Sequence, residues 1–292
     1  MSNSPPEFSN IVIVGVGLLG ASLALALKKI TNPHITGVGR PGSNSLKIAQ
    51  ERAAIDHSTT DLASAVTNAD LIVLCTPVRQ FPEAIDILKG KLKPGAIVTD
   101  VGSTKAEVMK WAKSLGNGVF VGSHPMAGSE KRGPEFARPD LFENAMCLLC
   151  GDEGEPLNRI EAMWKSIGMK TMRLDAEEHD RWVGMVSHLP HAAAFALMNA
   201  AAKDPQMLEA AAGGFLDTTR VASSDVDMWT DIFLTNGKEV VGAMDSFLTE
   251  FEELREAIMR SDEKGIRAAL LRAKASRDQL GLRRAREKGD RP

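Results

Sequence analysis

Ile11-Val12-Ile13-Val14-Gly15-Val16-Gly17-Leu18-Leu19-Gly20, followed at once by Ala21-Ser22-Leu23-Ala24-Leu25-Ala26-Leu27-Lys28-Lys29, is the stretch on which the fold turns. Four apolar strand formers run into G-x-G-x-x-G, and the glycines run into an Ala- and Leu-rich segment of helical length. In that setting each glycine has a mechanical role. Gly15 permits the tight turn off the strand, Gly17 removes a Cβ so that backbone can approach a pyrophosphate, and Gly20 lets helix and strand pack closely. The amides of Leu18 and Leu19 then open a helix whose N-terminus carries partial positive charge toward phosphate oxygens. A purely structural glycine turn would use the same letters; the strand-turn-helix setting points to a dinucleotide.

Outward from this loop, short apolar runs alternate with helix-length segments up to about residue 174: IVIV, ITGV, LIVLC, AIVTDV, VFVGS, AMCLLC and KTMRL. The alternation predicts an α/β fold, a Rossmann-type doubly wound and mainly parallel sheet. After about Glu177 the texture changes to long stretches with a period near 3.6, such as HAAAFALMNAAA and EVVGAMDSFLTEFEELREAIM. The division expected is a dinucleotide-binding domain over residues 1–174 and an all-α substrate and dimerisation domain over 175–292. Residues 192–202 carry too little polar cover for a helix facing water, which predicts a homodimer. The charged tail from Arg283 (RRAREKGDRP) reads as a frayed, solvated end.

Composition excludes several partners. With 35 Lys and Arg against 38 Asp and Glu, the net charge of −3 supplies no field suited to nucleic acid. No apolar stretch is long enough to span a membrane, and residues 1–10 lack the basic and apolar regions of a secretory signal, so a cytoplasmic protein is expected. Cys75, Cys147 and Cys150 are the cysteines; the C-x-x-C of the last two lies inside the apolar run AMCLLC and reads as buried thiols, not as a redox or zinc pair.

A site that prefers NAD usually places Asp or Glu at the end of the second strand, where it meets the ribose 2′-hydroxyl. Here that strand reads ITGVGRPGSNS: Gly39 holds the acidic position, Arg40 follows, and Ser43, Asn44 and Ser45 offer neutral hydrogen-bonding groups. This environment accepts a 2′-phosphate, so NADP is expected over NAD, with Arg40 lying over the adenine as the other reading. Thr76-Pro77 and Asp100 to Ser103 end two further strands and belong on the nicotinamide side of the crevice.

Four more segments carry a specific resemblance: DVGSTK (100–105), GSHPMAGSEKRGPEF (122–136), SHLPHAAAFAL (187–197) and GGFLDTTRVASSDVDMWTDIFLTN (213–236). With the glycine loop they resemble the prephenate/arogenate (cyclohexadienyl) dehydrogenase family over residues 10–260. The resemblance implies an oxidative decarboxylation in tyrosine biosynthesis: hydride leaves the C4 carbinol of prephenate or arogenate for nicotinamide, the ring carboxylate departs as CO2, and the ring becomes aromatic. It implies that His124 hydrogen-bonds the C4 hydroxyl and accepts its proton, a role suited to an imidazole near neutrality. Ser103 is the second hydrogen-bonding group there or at the cofactor carboxamide. His188 and His191 become substrate-pocket residues at a helix entry, with Pro190 in the first turn; the same H-x-x-H read alone suggests a metal pair, but no third ligand stands at a recognisable spacing, so no metal is expected. Arg220, nine residues before Trp229, binds a substrate carboxylate, Trp229 packs the pocket wall, and Gly213 brings backbone toward substrate. Ser129 and Glu130 stand at the pocket entrance. His124→Asn should lower kcat and Arg220→Ala should chiefly raise KM.

Two alternatives remain in view. A β-hydroxyacid or imine reductase of similar two-domain build usually relies on a lysine in the helical domain, which SHLPHAAAFAL lacks near its start. A protein that senses NADP without turnover needs no proton acceptor. No chorismate-mutase segment precedes residue 11, and the residues after the last substrate-domain helix are too few for an added regulatory domain, so feedback by tyrosine would act at the active site. Nothing in the sequence separates prephenate from arogenate.

Overall fold

The protein is described by a computed structural model covering residues 8–116, 118–129 and 131–288, with side chains to residue 282. By compactness it divides into Met1–Val240 and Val241–Pro292. The larger unit is built on one sheet of β1 (Asn10–Val14), β2 (His34–Val38), β3 (His57–Thr59), β4 (Leu71–Leu74), β5 (Ile97–Asp100), β6 (Val119–Pro125), β7 (Met146–Cys150) and β8 (Lys170–Arg173). Their order is β3-β2-β1-β4-β5-β6-β7-β8. Every neighbouring pair is parallel except β6 with β7. The fold is the mainly parallel doubly wound sheet that the strand pattern predicts. β3 is an addition: His57-Ser58-Thr59 carries no apolar run, and it is a strand because its backbone pairs with Thr36, Gly37 and Val38.

Strands covered on both faces read as continuous apolar runs, and these do. Ile11, Ile13, Ile35, Leu71 and Val73 face one layer, where Leu23 and Leu27 of α1 (Leu18–Ile30) and Trp164 of a later helix pack. Val12, Val14, Ile72, Leu74 and Val98 face the other. There Leu62 of α3 (Leu62–Ala65), Phe81 and Ile85 of α4 (Phe81–Leu88) and Val108 of α5 (Ala106–Ala112) close the second layer, while α2 (Asn44–Glu51) precedes β3. Trp164 belongs to α6 (Glu155–Ser166), the connection from β7 to β8. The chain returns from β3 to β4 beside β1, so the loops after β1 and β4 flank the point where the strand order reverses, the usual ligand crevice of such sheets.

Helices alone follow: α7 (Ala176–Val183), α8 (Leu189–Ala201), α9 (Pro205–Glu209), α10 (Gly213–Thr219) and α11 (Val226–Thr235), then α12 (Gly237–Met259) and α13 (Glu263–Lys288). A π turn over Gly184–His188 joins α7 to α8, so the helix entry expected at His188 is instead a widened turn inside one continuous helical run. Pro190, which cannot donate to the helical ladder, sits in the first turn of α8, directly after the widened turn. The smaller unit holds most of α12 and all of α13; Val241, Phe247, Leu248, Phe251, Leu270 and Leu271 are exposed on them. The backbone stays helical through Lys288, where a frayed end from Arg283 was expected: the charged residues are good helix formers. Among the described residues no helix is long and apolar enough to cross a membrane.

Candidate functional site

The loop after β1 has the geometry its glycines call for. Gly15 has φ +90°, and a Cβ there would lie 2.8 Å from Thr76 Cγ2; a Cβ on Gly20 would lie 2.6 Å from the Gly15 carbonyl oxygen. Gly17 is the reverse case, since a Cβ on it meets nothing within 4 Å. It precedes α1, which has no side-chain cap and no acidic residue in its first turn, so the first amides of Leu18 and Leu19 keep donors for an anion. Thr76 Oγ1, on the facing loop, is buried without a hydrogen-bond partner among the described residues, and Pro77 beside it is exposed. Open space at Gly17, free helix-end amides and an unpaired hydroxyl fit a dinucleotide. Gly39 follows β2, where its amide donates to Thr59 O, and Ser43 precedes α2. The Arg40 side chain is exposed and has no protein partner among the described residues.

At the end of β5 a buried ion pair organises the next loop. Lys105 Nζ donates to Asp100 Oδ2 at 2.6 Å, to Gly102 O at 2.8 Å and to Thr104 O at 3.0 Å, which satisfies all three of its protons. Asp100 also accepts from the amides of Gly102 and Ser123. The pair thus pins Gly102-Ser103-Thr104 against β6. Ser103 is half-buried in this loop and its hydroxyl has no partner among the described residues.

His124 stands near the carboxyl end of β6, buried. Its Nδ1 is 2.9 Å from His179 Nε2, and His179 Nδ1 is 2.8 Å from Asp180 Oδ1. Asp180 in turn accepts from the amides of Lys105 at 2.7 Å (Oδ1) and Ala106 at 2.9 Å (Oδ2), so a carboxylate on α7 caps the start of α5. Burial holds the His124 imidazole well below its usual pKa, helped by the neighbouring His179, Lys105 and His188; burial lowers His179 as well, against the pull of Asp180.

The two histidines of H-x-x-H face one tryptophan. His191 stacks on Trp229 with ring centroids 3.7 Å apart, and His188 meets the same ring edge-on at 5.8 Å. His191 Nδ1 donates to Ser187 O at 3.0 Å, which leaves its Nε2 an acceptor. His188 is the complement: Asn236 Nδ2 donates to its Nδ1 at 3.1 Å, so Nε2 carries the proton, and that N–H is buried with no partner among the described residues. Burial lowers His188 to about 4 and lowers His191 too. α11, which carries Trp229, is held by Thr104 to Thr235 at 3.0 Å, by Arg79 to Asp231 at 3.5 Å, and by an ion pair of Arg132 with Asp225.

Other predicted residues lie further out. Arg220 opens a short 3-10 turn after α10, exposed and without a side-chain partner among the described residues, and its charge reaches His191. Gly213 begins α10 with open space where a Cβ would be. Ser129 is exposed and accepts from the Lys131 amide at 2.9 Å; Glu130 lies outside the described residues. Cys147 and Cys150 are buried and unpaired, an odd number of residues apart on β7, so they point to opposite faces of the sheet; burial raises Cys150 to about 12. Among the described residues no group of three or more His, Cys, Asp or Glu is placed to hold a metal.

Sequence reasoning missed His179, Asp180, Asn236 and the Asp100–Lys105 pair. The signal available for the first two was slight: in AEEHDRWV they and Val183 are the buried positions of an otherwise charged helix.

Two family models match consecutive parts of the chain, "Prephenate dehydrogenase, nucleotide-binding domain" over residues 23–173 and "Prephenate dehydrogenase, dimerization domain" over 175–272. The prephenate dehydrogenase of Lactococcus lactis is 37% identical over 264 residues, covering 88% of this chain and 73% of its own. The cyclohexadienyl dehydrogenase of Zymomonas mobilis is 33% identical, covering 87% and 90%. Among solved structures, prephenate dehydrogenase from Aquifex aeolicus in complex with hydroxyphenyl propionate and NAD+ superposes with a TM-score of 0.87 at 34% identity, over 94% of this chain and 99% of that one. Synechocystis arogenate dehydrogenase superposes with a TM-score of 0.81 at 29% identity, over 93% and 99%.

Proposed function

Because this chain belongs to the prephenate dehydrogenase family, we propose that it oxidises and decarboxylates prephenate or arogenate, with NADP as the preferred acceptor. One observation carries the chemical reading: His124 is buried, kept neutral by its surroundings, and engaged by the protein through one ring nitrogen. A neutral imidazole with one nitrogen to spare is the group needed to take the C4 hydroxyl proton. The nicotinamide, when bound, supplies the hydride acceptor.

His124 takes the proton as the hydride leaves C4. The C–C bond to the ring carboxylate then breaks, CO2 departs, its bonding electrons complete the aromatic ring, and His124 returns the proton to the phenolate oxygen. Ser103, in the loop after β5 with a hydroxyl that has no partner among the described residues, is the second partner of that oxygen or of the carboxamide. His188 offers a buried N–H and His191 a lone pair from the Trp229 wall, a complementary pair for polar groups of the substrate. Arg220 supplies a cation for a carboxylate, Gly213 leaves room for close approach, and Ser129 stands at the entrance. The glycine loop, Thr76 and Pro77 hold the dinucleotide, while Arg40, Gly39 and Ser43 receive the 2′-phosphate: an unpaired guanidinium where an acid would repel it supports NADP. We assign residues 1–174 to nucleotide binding and 175–292 to substrate binding and dimerisation, and propose a cytoplasmic homodimer in keeping with the dimerization-domain match.

The test follows reduced-cofactor absorbance with prephenate or arogenate and NADP or NAD. Turnover with at least one substrate is expected, with kcat/KM about 10-fold higher for NADP, and His124→Asn should lower kcat by about 10²-fold or more. Turnover of neither substrate rejects the function, a preference for NAD rejects the cofactor assignment, and wild-type kinetics in His124→Asn removes the role of His124.

A further inference from the structure

We propose that His179 and Asp180 are positioning residues, which lock His124 into the tautomer protonated at Nδ1 and so reserve its Nε2 lone pair for the substrate hydroxyl. The inference rests on reading His124 as the proton acceptor and adds what makes it one. The steps follow from donor and acceptor capacity. Asp180 has both oxygens on N–H groups already, Lys105 N at 2.7 Å on Oδ1 and Ala106 N at 2.9 Å on Oδ2, and as a carboxylate at a helix start it can only accept. His179 Nδ1, 2.8 Å from Oδ1, therefore carries a proton and donates it. A neutral His179 then has a lone pair at Nε2, and the 2.9 Å contact with His124 is closed by a proton on His124 Nδ1. The opposite polarity would require a charged His179 in a buried site that already faces Lys105.

The groups facing His124 support the same state. Asp100 and Lys105 neutralise each other, Cys147 on β7 is an uncharged thiol, His188 on the π turn is neutral, and among the described residues Asp180 is the full charge that remains, at the far end of the chain of rings. When His124 takes a proton at Nε2, the positive charge forms in line with that carboxylate, an arrangement that orients a base and stabilises its cationic form. Backbone amides of α5 and the Asn236 side chain, which donates to Asp180 O at 2.8 Å, hold the far end still.

The test has a spectroscopic arm and a kinetic one. In the full-length protein with 15N-labelled histidine, assigned through His124→Asn, the ring nitrogens of His124 should report a proton on Nδ1 and none on Nε2 at pH 7. A proton on Nε2, or a charged ring, overturns the proposal, and this arm needs no substrate, so it is decided even if the proposed function fails. Kinetically, His179→Leu removes the acceptor and should lower kcat by about 10²-fold while KM moves less than about 3-fold. His179→Gln restores an acceptor near the Nε2 position and should recover about 10-fold of that loss. Wild-type kcat in His179→Leu, or equal kcat in the two variants, overturns the proposal.

Discussion

The proposed cofactor cradle, after β1, and the histidine chain, which starts on β6, belong to one sheet with β4 and β5 between them, yet they are built in opposite ways. The glycine loop of the cradle is contiguous in sequence and made of backbone: Gly15, Gly17 and Gly20 contribute by lacking side chains, and the space beside Gly17 is open. The histidine chain is made of side chains from β6, α7 and the start of α5, buried and hydrogen-bonded end to end. A site made of absent atoms tolerates change in its stability and loses its ligand. A site made of buried polar atoms tolerates little, because each group removed strands another. Substitution at the base of each should separate them most widely. Lys105→Met keeps the volume but leaves Asp100 buried without its cation, and should cost about 3–5 kcal/mol in chemical denaturation. Gly17→Ala places a methyl group in open space at an ordinary φ of −93°, so stability should move by no more than about 1 kcal/mol while KM for the dinucleotide rises. Similar losses in the two variants would erase the distinction.

The same contrast explains what the sequence disclosed. The cradle could be read because its cause is local: three glycines between a strand and a helix leave few alternatives. His124, Ser103, His188, His191, Arg220 and Trp229 were singled out through resemblance, since a histidine after a strand has no local mark of any role. His179 and Asp180 were not found, because what defines them is a contact made 55 residues away from His124 in the chain. The π turn escaped for a related reason. Pro190 announces a break in the helix, but whether the chain caps, kinks or widens there depends on what Ser187, His188 and His191 touch.

Acid should sharpen the comparison by a smaller amount. The glycine loop has no titratable group, whereas His188 is held to about 4 in the folded protein by burial, with an N–H donor from Asn236 facing the nitrogen that would be protonated. Its folded pKa is below the unfolded value near 6.5, so between these values the unfolded chain binds the extra proton and stability falls as pH falls. The stabilisation is complete above about pH 6.5 and declines toward pH 4, amounting to about 2 kcal/mol lost by pH 5 from this residue. His188→Asn should lose about 2 kcal/mol less than the wild type between pH 7 and pH 5 in denaturant titrations. Parallel losses would show that His188 is not the neutral, buried group described.

The smallest effect concerns the cradle's charged element. Arg40 is the exception to a site made of backbone: an exposed guanidinium with no protein partner among the described residues, at the end of β2 where Gly39 replaces the acid that a 2′-hydroxyl would select. If its function is to meet a 2′-phosphate, Arg40→Ala should lower kcat/KM with NADP by about 10-fold and leave NAD within about 2-fold. The NADP penalty should shrink as salt is raised, because an exposed ion pair is screened. If Arg40 instead lies over the adenine, the substitution removes a contact that both dinucleotides share, and the two values fall together with little dependence on salt. The ratio of the two cofactors in one variant at two ionic strengths therefore decides whether the cradle reads charge, or whether its backbone shape alone does the binding and the 2′-phosphate goes unrecognised.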